Sequence, residues 1–170
     1  RFAPGLPAKG DGQLLFMLNG LAKLKDDGQM AIIQNGSSLF NGDAGSGPSE
    51  IRRYLIENDW LDAIVQLPNN AFYNTSIATY IWIVVKNKPA THQGKVQLID
   101  ASACCSARRK NIGSKNVDIT KACRDLIVEA YGAYMDGTYN GVDENDNAIV
   151  VKSKVMDAID LGYNKIVVET

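Results

Sequence analysis

The sequence predicts an α/β chain, the second half of an open layered sheet with an antiparallel strand wedged into it. Three observations carry this. Helical and strand-sized apolar patterns alternate up to Leu67, the order expected where helices join parallel strands. The run Thr79 to Val85 is β-branched and aromatic without alternation, which marks a strand buried on both faces and therefore central. The gap between Leu67 and Thr79 is too short for a helical crossover, which takes roughly a dozen residues or more. Those two strands are therefore antiparallel or separated by an inserted strand.

The elements follow in order. Residues 1–10 are rich in Pro and Gly and read as a loop. Asp11 is the expected N-cap of a helix in which Leu14, Met17, Leu18 and Leu21 recur at helical spacing, with Lys23 and Lys25 in its last turn and Gly28 beyond it. Phe16 lies nearly opposite that apolar stripe and needs a second partner. Residues 29–34 form a short buried strand, and 35–47 a loop. A helix starts near Pro48 and Ser49, carries Ile51, Tyr54 and Leu55 on one face and stops at Asn58. Leu61 to Leu67 is the next strand, closed by Pro68-Asn69-Asn70, and Phe72 to Ser76 is a polar-aromatic connector. A polar turn, 86–94, leads to a strand over 96–99, whose pairing periodicity leaves open. Residues 101–116 change to small residues, two cysteines and a basic cluster. A helix is expected from about Val117 to Tyr134, a loop over 136–147, a short strand over 149–151, a helix over 153–160 and a last segment over 163–168.

Composition bounds the rest. The 170 residues are 45% hydrophobic and 22% charged, with a net charge of −1, ordinary for one globular domain. Bulk charge therefore announces neither a nucleic acid nor a membrane, although a local basic patch would suffice for the former. No apolar run approaches the roughly 20 residues that cross a bilayer, so no membrane partner is expected. The start is not a signal peptide and lacks an initiator Met, so the chain reads as a cut from a longer one. Cys104, Cys105 and Cys123 are an odd set with no C-x-x-C, and His92 is the one histidine. The expectation is a reducing, cytoplasmic setting, no metal site, cysteines without redox duty and no catalytic triad. The acidic residues show no paired pattern for acid–base work.

Specific stretches carry a family resemblance. They are Arg1-Phe2 with Gly5 and Pro7, Phe16, Leu24-Lys25 before Gly28, Asn35 to Phe40 and Ile51-Arg52. Further on come Leu67-Pro68, Phe72-Tyr73-Asn74-Thr75, Ile81-Trp82, Ile99-Asp100-Ala101-Ser102 and the tail Leu161-Gly162-Tyr163-Asn164-Lys165-Ile166. Together they resemble the modification (methyltransferase, M) subunit of type I restriction-modification systems, an N6-adenine DNA methyltransferase family. The match is weakest over 103–148. The resemblance implies a Rossmann-like, S-adenosylmethionine-dependent methyltransferase fold whose last core strand inserts between two parallel neighbours. It implies double-stranded DNA, the specificity and restriction subunits and a second modification subunit as partners.

The family's Gly-containing cofactor loop and its Asn-Pro-Pro-Phe motif are not in this sequence, whose five prolines are never adjacent. The chain thus resembles the C-terminal half of the catalytic domain, residues 1–102, followed by a basic loop, helix and tail, 103–170, a candidate partner-contact region. It carries no catalytic residue of its own and is expected to be inactive alone, with weak or no binding of S-adenosylmethionine.

Within that frame, Phe72 is the implied stacking surface for the flipped base, with Tyr73 as the neighbour that could substitute; the plain alternative is a loop-end aromatic closing the core. Phe16 is the implied contact of the cofactor's adenine ring, against the alternative of a helix buried on two sides. Asn35 to Phe40 sits where ligand-facing loops gather at strand ends, or is a turn shaped by Gly36. Arg108, Arg109, Lys110 and Lys115 could meet DNA phosphates or be solvated like most charge runs. Two other readings compete. One is a non-catalytic assembly module that contacts the specificity subunit through 117–134 and 149–168; the other is an unrelated half-Rossmann nucleotide-binding domain.

Overall fold

The computed structural model describes residues 2–7, 9–163, 166 and 168; Arg1 and half of the expected last segment, Asn164, Lys165 and Val167, lie outside the described residues. Helix α1 (Gln13–Leu21) leads to strand β1 (Gln29–Asn35), a one-turn helix α2 (Ser37–Phe40) and helix α3 (Gly47–Glu57). Strands β2 (Leu61–Gln66), β3 (Thr79–Val85) and β4 (Lys95–Asp100) follow, then a hairpin of β5 (Ser106–Ile112) and β6 (Lys115–Asp118). Helix α4 (Lys121–Ala133), strands β7 (Gly137–Val142) and β8 (Ala148–Asp157) and a 3₁₀ turn (Ala158–Leu161) complete the described chain.

The main sheet has the order β1-β3-β2-β4-β8-β7. Strand β3 runs antiparallel to both β1 and β2, so these two are parallel to each other with β3 between them. The antiparallel strand wedged into the sheet is as expected, and of the two alternatives for the short Leu67–Thr79 gap the structure has the direct antiparallel pairing of β2 with β3. Strand β4 pairs parallel with β2 and antiparallel with β8. The sheet is therefore continuous across residue 102, because the segment beyond it returns through β8 to pair with β4.

Each face of the sheet carries a core. On one, Leu14, Met17, Leu18 and Leu21 of α1 and Ile51 and Leu55 of α3 pack on Trp82, Val84 and Val96. The predicted helical stripes are thus the buried ones. On the other, Cys123, Leu126 and Ala130 of α4 cover Val65, Ile99, Ile149 and Val151. Gln97 is buried between them, its Nε2 donating to the Ala130 carbonyl and to Ser153 Oγ, both at 2.8 Å, which ties α4 to two strands. Helix α3 stops at Asn58, as expected. Asp59 takes φ +55°, and the Asp59 and Trp60 N–H groups return to the Ile56 and Leu55 carbonyls.

Several expected elements differ. Asp11 is not the N-cap of α1; Gly12 holds that place, and Asp11 instead accepts from Ser37 Oγ at 2.5 Å. Lys23 and Lys25 lie beyond the last turn, because α1 ends at Leu21. The 35–47 loop contains α2. Alternate β3 residues are only half-buried, so its burial is less even than a fully apolar run implied. Helix α4 starts at Lys121 rather than Val117; Thr120 caps it, Oγ1 accepting from the Cys123 N–H, and residues 106–118 form the hairpin. Residues 136–147 contain β7, and the expected 153–160 helix is instead the second half of β8 as far as Asp157, with only the 3₁₀ turn from Ala158 helical. Ile149, Val151 and Ser153 alternate inward against outward Lys152 and Lys154, a period-2 pattern that outweighs the helix-start character of Ser153.

Two anchors fix the hairpin. At its open end Ser106 Oγ donates to Asp143 Oδ2 at 2.5 Å, and the same carboxylate accepts from the N–H groups of Asn145 and Asn147. At its closed end the turn Gly113-Ser114 rests on the loop after β2.

Two predictions follow from this packing. Leu55→Ala should lower unfolding stability by about 2–5 kcal/mol, whereas Phe16→Ala, removing a mostly exposed ring, should stay within about 0.5 kcal/mol, as read by urea titration. The Ser106 hydroxyl and the turn's amides hold Asp143 ionised well below the usual carboxylate range. A folded-state pKa below the unfolded one stabilises fully at neutral pH, and that share is lost as pH falls below about 4 toward the folded value. The stability gap between the native chain and Asp143→Asn should accordingly be widest at pH 7 and shrink in acid.

Candidate active-site rim

Because β1, β2 and β4 are mutually parallel, their C-terminal ends, Asn35, Gln66 and Asp100, lie along one rim of the sheet. Open α/β sheets bind ligands at this rim. Three connections gather there. They are residues 35–41 after β1, 67–78 after β2 and 101–105 after β4, the last leading into the hairpin.

The first connection is a polar network. Gln13 Nε2 donates to Asn35 Oδ1 at 2.7 Å and to Ser37 Oγ at 2.8 Å, while Gln13 Oε1 accepts from the Asn35 N–H at 2.7 Å. The Ser37 hydroxyl, with Gln13 and Asn41, holds the Asp11 carboxyl below its ordinary range. This network pins the start of α1 to the end of β1. Phe16, one turn further along α1, is 69% exposed, so the alternative of a helix buried on two sides does not hold: the face opposite the apolar stripe is bare. Phe40 is equally bare at the end of α2, an exposed aromatic that sequence reasoning did not single out within its stretch.

The second connection carries Phe72 and Tyr73. Asn70 adopts φ +55°, and an isolated antiparallel bridge joins Phe72 to Thr75, so residues 72–75 form a tight turn. Phe72 is half-buried, one side against the core under α4, and Tyr73 is exposed. Phe72 thus closes the core and reaches the surface at once; the two sequence alternatives are not exclusive. Phe16 rides on the helix of the opposite core, so the structure does not bring the two rings into one cluster.

The third connection and hairpin carry the basic cluster. Arg108 forms a two-pronged bond to Asp118 at 2.6 and 2.5 Å, and Lys115 Nζ reaches the same carboxylate at 3.0 Å. These cations hold Asp118 below its usual range. Arg109 and Lys110 are exposed and have no carboxylate partner among the described residues. The hairpin turn brings this cluster against the Phe72 loop. The Ser114 N–H donates to the Tyr73 carbonyl at 2.9 Å, and the Asn116 N–H to the Asn70 carbonyl at 3.2 Å.

A groove of about 1400 Å³ runs between α3 and the 3₁₀ turn, lined by Phe40, Gln66, Tyr80 and Asp100 among others, but not by Phe16, Phe72 or Tyr73. Burial pushes the Cys104 thiol up to about 12, which keeps it protonated, and the three cysteines are free thiols. No group of three or more His, Cys, Asp or Glu among the described residues could hold a metal. No described helix is long and apolar enough to cross a membrane.

At the opposite end of β2, the buried Asp62 accepts from Tyr131 at 2.6 Å and pairs with His92 Nδ1 at 3.0 Å, while His92 stacks on Tyr134 at 3.4 Å. Sequence reasoning missed this cluster. Its signal was an aspartate inside the apolar strand Leu61-Asp62-Ala63-Ile64, a position where a carboxylate needs partners.

Comparisons with known proteins agree with this arrangement. The family model described as N-6 DNA methylase matches residues 1–167. A type I restriction enzyme methylase subunit, MjaIX, from Methanocaldococcus jannaschii is 31% identical over 63% of this chain and 19% of its own length. The MpnII methylase subunit of Mycoplasma pneumoniae is 31% identical over 69% of this chain and 21% of its own. The crystal structure of the type I restriction-modification methyltransferase subunit from Streptococcus thermophilus superposes with a TM-score of 0.73 at 28% identity, covering 92% of this chain and 29% of that one. A modification subunit of a type I enzyme from Vibrio vulnificus, at 17% identity and a TM-score of 0.57, shares the fold. The chain spans about a fifth of the length of the curated relatives it matches. With a family match over nearly its whole length and the inserted antiparallel strand in place, this chain belongs to the N-6 DNA methylase family and has the type I methyltransferase-subunit fold.

Proposed function

We propose that this chain supplies the base-stacking rim of a type I, S-adenosylmethionine-dependent, adenine-N6 DNA methyltransferase subunit. The observation that carries the reading is the tight Phe72–Thr75 turn, set at the C-terminal rim of the sheet beside a basic hairpin. Adenine N6 is out of reach inside a duplex, so the target base must be flipped out. The half-buried Phe72 ring is anchored on one side and open on the other, as a stacking shelf requires, and the exposed Tyr73 stands beside it. Arg109 and Lys110, which meet no carboxylate among the described residues, suit flanking phosphates; Arg108 and Lys115, gathered on Asp118, stiffen the hairpin and add positive potential.

Phe16 fits one wall of a cofactor site. It is a bare ring on a helix whose other side fills the core, next to a polar network at a strand end. S-adenosylmethionine, when bound, supplies the methyl group. In this chain Phe16 would flank the cofactor's adenine, while Gln13 and Asp11 hold the start of α1 in register. The groups that polarise the target amine are not among these residues, so the chain alone is inactive on this reading. In the parent protein the partners are double-stranded DNA, a second modification subunit and the specificity and restriction subunits. Residues 103–170 are the proposed partner-contact region.

Base stacking on an aromatic ring amounts to roughly 1–3 kcal/mol, so Phe72→Ala in the intact subunit should slow turnover roughly 5- to 150-fold. The rise in 2-aminopurine fluorescence at the target position should change with it, and Phe72→Tyr should retain most activity. Unchanged turnover and unchanged fluorescence in Phe72→Ala would remove the assignment. Separately, Arg109→Ala and Lys110→Ala should each weaken DNA binding regardless of sequence and reduce the slope of log affinity against log salt by about one.

A further inference from the structure

The hairpin touches the Phe72 loop through its backbone, not through its charges. The turn between β5 and β6 is Gly113-Ser114, with Ile112 paired to Lys115 and Gly113 at φ +57°, as a glycine-first mirror-image turn needs. A Cβ at Gly113 would lie 2.3 Å from the Tyr73 carbonyl oxygen, closer than any real contact. The glycine is therefore required twice, by its dihedral angle and by the closeness of the loop. The Ser114 N–H meets that same carbonyl at 2.9 Å, and the Asn116 N–H meets the Asn70 carbonyl at 3.2 Å. Asn116 has no partner in the hairpin register, so its N–H points out to the loop. The two loop carbonyls so held bracket Ala71 and Phe72. The far end of the hairpin is itself fixed through Ser106 and Asp143.

We propose that the β5–β6 hairpin is a positioning element for the stacking turn. It clamps the loop backbone at Asn70 and Tyr73, so that the strand pair bearing Arg109 and Lys110 also sets the height of the Phe72 ring. Gly113 and the Asn116 N–H are its positioning groups. The inference rests on the stacking role proposed above, but the clamp can be tested without it.

The experiment uses the intact subunit with Gly113→Ala, Asn116→Pro, Asn116→Ala and Phe72→Ala. Gly94→Ala serves as control, since Gly94 also has positive φ (+71°) but nothing within 4 Å of its Cβ position. Hydrogen–deuterium exchange across residues 68–77 of the free protein reads the clamp directly. Gly113→Ala and Asn116→Pro should raise exchange there at least about tenfold, while Gly94→Ala and Asn116→Ala, which keeps the N–H, should not. With DNA, the two clamp variants should lower kcat about as far as Phe72→Ala, with KM for DNA within about twofold. Adding Phe72→Ala to either should cost little more, because both act on one ring.

Unchanged exchange in both clamp variants would overturn the clamp; where Phe72→Ala does slow turnover, effects that simply multiply with it would overturn the positioning of that ring. If Gly113→Ala does not fold, Asn116→Pro against Asn116→Ala carries the same comparison. If Phe72→Ala itself leaves turnover intact, the stacking role fails, and raised exchange in the clamp variants would still establish the clamp.

Discussion

The insertion of β3 between β1 and β2 is the constraint on which the rest depends. A strand that runs back between two others forces them to be parallel and brings their C-terminal ends to one rim. It also means that the connection from β2 to β3 turns at that rim, without a helix to carry it away. The Phe72 turn is thus a product of topology. The same strand serves both cores: Trp82 and Val84 meet α1 and α3 on one face, while Ile81 and Ile83 pack toward α4 on the other. A change in β3 register by one residue would exchange these two sets, so the register is fixed from both sides.

What the sequence discloses follows from how each element is held. Helices α1 and α3 and strands β2 to β4 bury an apolar stripe or run, and hydrophobic periodicity reveals them, whereas β1 is not the buried strand expected over 29–34: it lies at the sheet edge, with Ala31 and Ile33 exposed and Gln34 its one buried residue. The hairpin is held differently. Ser106 to Ile112 shows almost no burial beyond its first residue, and Arg108-Arg109-Lys110-Asn111 has no apolar alternation to detect. Its shape comes from the Arg108–Asp118 pair, the Ser106–Asp143 bond and the Asn70 and Tyr73 carbonyls, all set by tertiary context. Strand β7 is hidden for a related reason: Gly137-Thr138-Tyr139-Asn140-Gly141 reads as a turn, and its sheet partner is β8 alone.

The candidate site divides in the same way. Phe16 was legible because a large ring off the apolar stripe of a helix has to be explained, and it is exposed. Phe72 and Tyr73 were legible through the family pattern, while their attachment to the basic cluster was not, since residues 70–73 and 113–116 meet only in the folded chain. The bulk charge of −1 concealed a further distinction. Asp118 engages two of the four clustered cations and leaves Arg109 and Lys110 open, so one carboxylate separates the structural charges from those available to a ligand.

A rigid turn matters for energetic reasons. Ordering one residue of flexible backbone costs roughly 1–2 kcal/mol, and stacking one base returns roughly 1–3 kcal/mol. A loop that had to order even two residues on meeting its base would therefore lose most of what stacking gives. In the proposed stacking role the Phe72 loop would avoid this, because it is ordered beforehand through the Phe72–Thr75 bridge within it and the backbone bonds to Ser114 and Asn116 beside it. Those bonds are made by main-chain groups, so side-chain substitutions in the hairpin can alter its charge without loosening the turn. The exceptions are Gly113, where any side chain at all would reach the loop, and Asn116→Pro, which removes a main-chain donor.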